Sequence, residues 1–161
     1  MKREHLRLID NLSKELAEGN LAVFAGAGLS RFAGFVDWKS LLKPIADDLD
    51  LDVEKEWDLV TLAQYHANAN ATNRSKLNQM LVTEFSSDVA PTENHKILAR
   101  LPIQTYWTTN YDKLIESSLE LNGKVSDVKY TNKQLATTRP KRDAVVYKMH
   151  GDVDHASEAV L

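Results

Sequence analysis

Apolar residues Leu6, Ile9, Leu12 and Leu16 recur at helical spacing over residues 3–18, and Gly19-Asn20 supplies a left-handed stop after the last turn. The pattern predicts an amphipathic first helix. The next five residues, Leu21-Ala22-Val23-Phe24-Ala25, are continuously apolar, as in a strand of a parallel sheet buried on both faces, and they run directly into Gly26-Ala27-Gly28. Trp38, Leu41, Leu42, Ile45 and Leu49 share one helical face, with Asp37 at the N-cap and Pro44 placed to kink the middle. From 56 to 101 the texture stays helical. Leu59, Leu62, Tyr65 and His66 mark one helix, Leu77, Met80, Leu81 and Phe85 a second, and Pro91-Thr92 opens a third that runs to Leu101.

Beyond this block the pattern changes. Thr105-Tyr106-Trp107-Thr108-Thr109 is β-branched and aromatic, which predicts a strand, followed by a helix over Tyr111–Leu121 that stops at Asn122-Gly123. Val125–Tyr130 alternates as a further strand, and Ala144–Met149 forms a last one ending at His150-Gly151. The expected fold is α/β, a Rossmann-like parallel sheet with helices on both faces and a helical insertion at about 40–101, in one domain spanning 1–161. The closing triplet Ala159-Val160-Leu161 is apolar with nothing polar behind it, so the chain is expected to be the N-terminal part of a longer protein whose fold continues.

Composition narrows the function. With 161 residues, 43% hydrophobic and 27% charged, the chain can bury a real core. The net charge of -3 comes from interspersed signs without a basic stripe, which disfavours nucleic acid as a partner. No apolar run approaches the roughly 20 residues needed to cross a bilayer, and no signal-peptide core follows Lys2-Arg3-Glu4-His5, so a cytoplasmic protein without a membrane partner is expected. Cysteine is absent, which excludes a thiolate nucleophile and a Cys-based zinc site. His150 and His155, with Asp152 and Asp154 between them, read as a solvated loop, and no metal is expected.

Ligands of open α/β sheets collect beyond the carboxyl ends of the strands. Three distinctive loops fall there: Gly26-Ala27-Gly28-Leu29-Ser30, Asn110-Tyr111-Asp112 and His150-Gly151. A Gly-x-Gly turn lets backbone N–H groups approach a pyrophosphate because no Cβ intervenes, and Ser30 offers a hydroxyl. A tight turn requiring positive φ explains the same glycines. Arg31 stands where the dehydrogenase fingerprint would place a third glycine, which disfavours hydride transfer. Thr109 and Asp112 also fit a capping box around Asn110, and His150 alone fits a polar residue opening a glycine turn.

Taken together, the three loops resemble the sirtuin superfamily, in which a Gly-Ala-Gly-x-Ser turn leads through Ala-Gly to an Asp-aromatic pair. Here that stretch runs without a gap from Gly26 through Ala33-Gly34 to Asp37-Trp38, Asn110 and Asp112 match the Asn-x-Asp element, and His150-Gly151 matches the His-Gly element. Protein deacetylases of the superfamily carry a four-cysteine zinc module, a Gln where this chain has Thr109, and an Arg where it has Lys39. These departures resemble instead the bacterial SIR2-like branch of anti-phage defence, and Thr92–Leu101, Tyr106–Leu114 and Asp143–Asp152 are similar to the Thoeris effector NADases.

The resemblance implies an NAD⁺ hydrolase that releases nicotinamide and ADP-ribose and acts in defence by NAD⁺ depletion. It implies Asn110 and His150 as catalytic residues, and Gly26, Ala27, Gly28, Ser30, Asp37, Thr109, Asp112 and Gly151 around NAD⁺. It further implies a homo-oligomer and a regulatory domain or partner that this chain lacks. Trp38 is read as a core residue at helical spacing, outside the site. An NAD⁺-dependent protein deacylase and a non-catalytic NAD⁺ or ADP-ribose sensor stand as alternatives.

Overall fold

The computed structural model describes residues 2–160; Leu161, the last of the apolar triplet, lies outside the described residues, as does Met1. Four short strands, β1 (Ala22–Ala25), β2 (Thr105–Thr108), β3 (Ser126–Lys129) and β4 (Ala144–Lys148), form one parallel sheet in the order β1-β2-β4-β3. Phe24, Trp107 and Tyr147 lie in one cross-strand row, and Ala25, Thr108 and Lys148 in the next. Because every strand runs the same way, Gly26, Thr109 and the β4 exit all reach one edge of the sheet.

The helices around the sheet are α1 (Arg3–Ala17), α2 (Ala27–Ser30), α3 (Trp38–Asp48), α4 (Leu59–Ala69), α5 (Ser75–Phe85), α6 (Glu93–Arg100) and α7 (Leu114–Leu121). Ala99 of α6 and Ile115 and Leu119 of α7 pack with Ala25, Tyr106 and Val146 into one core, with Leu16 of α1 at its margin. The helices flank the sheet unequally. On the opposite face Phe24 is 67% exposed and Trp107 38%, although Trp107 stacks on Tyr147 with ring centroids 4.2 Å apart. The expectation that the β1 segment is buried on both faces is therefore corrected, because no described helix packs over Phe24. Helix α1 forms as its periodicity predicts, yet Leu6, Ile9 and Leu12 are exposed and Leu16 is the stripe residue that reaches the core.

Helices α3, α4 and α5 make a second core from Leu42, Ile45, Leu62, Ala63 and Leu77. Asp37 caps α3 by accepting from the Ser40 N–H at 2.9 Å, and the helix continues through Pro44. A third cluster, including Phe35, Leu41, Leu81, Phe85, Tyr111, Leu114 and Val153, joins this block to the loops at the sheet edge. The helix after β2 begins at Leu114 rather than Tyr111, so residues 109–113 are loop. The physical reason lies in the site.

Candidate functional site

At the end of β1, Gly26 has an extended backbone with φ -116° and caps α2, and neither Gly26 nor Gly28 has positive φ. A Cβ on Gly28 would meet nothing within 4 Å, and one on Gly26 would make only ordinary contact with Thr109 Oγ1 at 3.9 Å. A tight turn that demands glycine is thereby set aside. The chain's own packing tolerates a side chain at both positions, so the absence of one leaves room for something else to approach the backbone.

Asn110 is the link between loops. Its Nδ2 donates to the Gly26 carbonyl at 3.1 Å and to Ser30 Oγ at 2.9 Å, while its own N–H donates to Thr108 Oγ1 at 3.0 Å. The Gly26 carbonyl can only accept, so the amide orientation is set, and Oδ1 carries no hydrogen bond among the described residues. Asn110 is 8% exposed and Ser30 is also buried, its hydroxyl held inside this link rather than presented openly. The capping-box explanation is corrected: Lys113, not Thr109, stands before α7, and no side chain caps it. Asp112 Oδ1 instead accepts from the Leu114 N–H at 3.0 Å, and its buried Oδ2 has no partner among the described residues. Thr109 hangs from the Ala25 carbonyl through its N–H at 3.2 Å.

His150 follows β4. Its ring stands edge-on to Trp38 at 5.4 Å and lies 6.4 Å from the Tyr111 ring. Burial holds its pKa below the ordinary imidazole value, because the protonated ring would lose its hydration, and Nδ1 is buried without a partner among the described residues. The ring is thereby held neutral to lower pH than an exposed imidazole. Gly151 is a glycine that the fold requires: its φ is +98°, and a Cβ there would lie 2.8 Å from Ala159 Cα. The Ala159–Val160 segment is held over this turn, its Val160 N–H donating to the His150 carbonyl at 2.8 Å and its Val160 carbonyl accepting from Tyr111 OH at 2.6 Å.

The structure therefore gathers Ala27, Ser30, Thr109, Asn110 and Asp112 around one narrow cleft, walled also by Trp38 and Tyr111. Asp37 lies beside it with its carboxylate engaged at the α3 N-terminus. Trp38 was expected in the core alone; it packs there and also faces His150 and the cleft, which its place directly after Asp37 signalled. The cleft holds about 10 Å³, room for about one water molecule. A roomier groove of about 460 Å³, lined by Trp107, Tyr130, Tyr147 and Met149, opens on the uncovered sheet face. Lys129, Asn132, Glu158 and Gly151 also line this groove, whereas Ser30, Thr109, Asn110 and Asp112 line the narrow cleft and His150, Gly26, Gly28 and Asp37 line neither.

One group at the edge escaped the motif reading. Lys148 is buried, and its ammonium donates to the carbonyls of Tyr111 at 2.9 Å and Asp112 at 2.7 Å and to Asp152 Oδ2 at 2.6 Å, with Glu116 Oε1 at 3.2 Å. The two-residue alternation Ala144, Val146, Lys148 puts it on the inward side, which was the available signal. This capture of loop carbonyls explains why α7 starts at Leu114.

Residues 104–161, which carry Asn110, Asp112, Lys148 and His150, match the family model described as a SIR2-like domain. Over these residues the chain is similar to the SIR2-like family. Relatives named NAD(+) hydrolase ThsA include one from Bacillus cereus (strain MSX-D12), 65% identical over 153 residues, 95% of this chain and 32% of the relative. One from Cytobacillus dafuensis is 57% identical over 96% of this chain and 31% of the relative, and one from Acinetobacter baumannii (strain 532279) is 52% identical over 99% and 33%. The chain spans about a third of the length of these curated relatives.

Proposed function

We propose that the cleft is the centre of an NAD⁺ hydrolase, with Asn110 and His150 as its catalytic residues. The observation that carries this reading is the bond from Asn110 Nδ2 to the Gly26 carbonyl and Ser30 Oγ, which ties the glycine turn to the Asn-x-Asp loop and leaves Oδ1 as an oriented acceptor. The printed names of the relatives support it.

In NAD⁺ the nicotinamide leaves as a neutral molecule once the C1′–N bond breaks and its electron pair returns to the ring nitrogen, so the leaving group needs no proton. The ribose acquires oxocarbenium character, and a site gains rate by orienting the sugar and delivering water. Asn110 Oδ1 accepts a hydrogen bond from the attacking water or a ribose hydroxyl. Neutral His150 takes the proton released as water bonds to C1′, and passes it to solvent. The unpartnered Asp112 Oδ2 accepts from a ribose hydroxyl, the backbone of Gly26, Ala27, Gly28 and Ser30 faces the phosphates, and Thr109, Asp37 and Gly151 border the bound dinucleotide.

In this reading residues 1–161 form one SIR2-like unit with the helical block at about 40–101 as an insertion, acting by NAD⁺ depletion in anti-phage defence. It carries with it a cytoplasmic, homo-oligomeric protein regulated by a further domain or partner, with neither a metal nor nucleic acid taking part. Among the described residues no helix is long and apolar enough to cross a membrane. The test is nicotinamide release from NAD⁺ by full-length protein against Asn110→Ala and His150→Ala. Losses on the order of 10²–10⁴ are expected for removal of the base. Unchanged release in both variants overturns the assignment, and release that requires an acylated peptide moves it to a deacylase.

A further inference from the structure

Lys148 lies directly beneath the edge where Asn110 and His150 emerge, and it touches both loops. Its two carbonyl acceptors belong to Tyr111 and Asp112, the residues that follow Asn110 and precede the first turn of α7. Its carboxylate acceptor belongs to Asp152, two residues beyond His150, and Asp152 Oδ1 in turn caps the following 3-10 turn through the Asp154 N–H at 2.9 Å. The three donors of the ammonium are thus divided between the two loops, with Glu116 Oε1 on α7 3.2 Å away and its carboxyl pushed above the usual range by burial. The Val153 N–H also reaches the Tyr111 carbonyl, at 3.2 Å, so the two loops meet at the same oxygen that Lys148 holds.

We infer that Lys148 is a positioning residue that clamps the Asn110 loop to the His150 loop, and so sets the geometry of the two catalytic side chains without touching substrate. The inference rests on the NAD⁺ hydrolase reading. A buried ion pair is a poor stabiliser by itself, since an apolar replacement of similar volume often serves stability equally well. What an apolar side chain does not supply is the bridge from the Tyr111 and Asp112 carbonyls to the Asp152 carboxylate, which adds to the Val153–Tyr111 and Tyr111–Val160 bonds that also join the loops. Displacement of a catalytic group by about 1 Å typically costs on the order of 10²-fold in rate.

The test uses full-length protein carrying Lys148→Met together with Glu116→Gln, which removes the clamp and one carboxylate left uncompensated, with Glu116→Gln alone as control. Two readouts are taken well below the melting temperature of each variant: kcat and KM for nicotinamide release, and amide hydrogen exchange. The clamp predicts faster exchange at both loops, residues 110–113 and 150–152, with α3 to α5 unchanged, and kcat lower by about 10²-fold while KM stays within about threefold. A folded variant with parental kcat, or with loop exchange unchanged or raised equally across the helical block, overturns it. If the parent protein itself releases no nicotinamide, the hydrolase reading falls and loop exchange alone decides whether the clamp exists. Should the double variant not fold, Lys148→Arg, which keeps the buried cation but misplaces its donors, is carried through the same readouts.

Discussion

Burial of the His150 ring against Trp38 and Tyr111 penalises its protonated form, so the imidazole stays neutral to lower pH than the ordinary value of about 6.5. A base is active when unprotonated. In the proposed reading of His150 as the base, the rate of nicotinamide release, read as kcat/KM, is expected to be level at neutral pH and to fall as pH drops through the His150 pKa, with an acid midpoint below about 6.5. A pH–rate profile checks this, and a midpoint above that value contradicts it. The unfolded chain takes up this proton at higher pH than the folded one, so stability also declines as pH falls from about 6.5 toward the folded pKa. His95, buried on α6 with its ring within 2.7 Å of Thr92 Oγ1, is shifted the same way by burial and adds to that decline.

Helix α3 shows how an element carries a residue to the site. Asp37 ends the loop from the glycine turn and accepts the Ser40 N–H, which fixes where the helix begins and hence where Trp38 points relative to His150. Hydrogen bonds from Ser40, through its backbone first and its side chain second, hold the Asp37 carboxyl below its usual range. Asp37→Ala is expected to destabilise the protein by about 1 kcal/mol in urea unfolding at neutral pH. Since the folded pKa is the lower one, the cap's contribution is present above the ordinary carboxylate range and disappears as pH falls through the folded value. The gap between parent and variant should close in acid. Asp37→Asn, which keeps an acceptor, should retain most of the stability.

At the scale of the whole molecule the sheet is covered unequally. Parallel sheets are normally buried on both faces, yet the row Phe24, Trp107, Tyr147 faces out. Contiguous exposed aromatic surface of this kind binds apolar probes. The 161-residue chain is expected to enhance the fluorescence of an apolar dye, and Phe24→Ser with Trp107→Ser to reduce that enhancement while far-ultraviolet circular dichroism stays unchanged. Equal fluorescence from parent and variant would show that the dye binds elsewhere. The polar cleft lies at the sheet edge and the aromatics lie on the open face, so the same variant separates substrate chemistry from simple apolar exposure.

Periodicity and turn residues determined the elements, because helical spacing and alternation act over a few residues: α3, α5, β2 and β4 lie where their patterns put them. The order of the glycine, Asn-x-Asp and His-Gly motifs, each after a predicted strand, determined that three chemical loops share one edge, since parallel strands deliver their carboxyl ends together. Tertiary structure decided what no local pattern encodes. It turned Asn110 from a capping position toward Gly26 and Ser30, brought Trp38 to His150, started α7 three residues late by giving the Tyr111 and Asp112 carbonyls to Lys148, and left Phe24 uncovered. Each of these depends on a partner from another part of the fold, brought near only when the sheet forms, and sequence spacing carries no record of such distances.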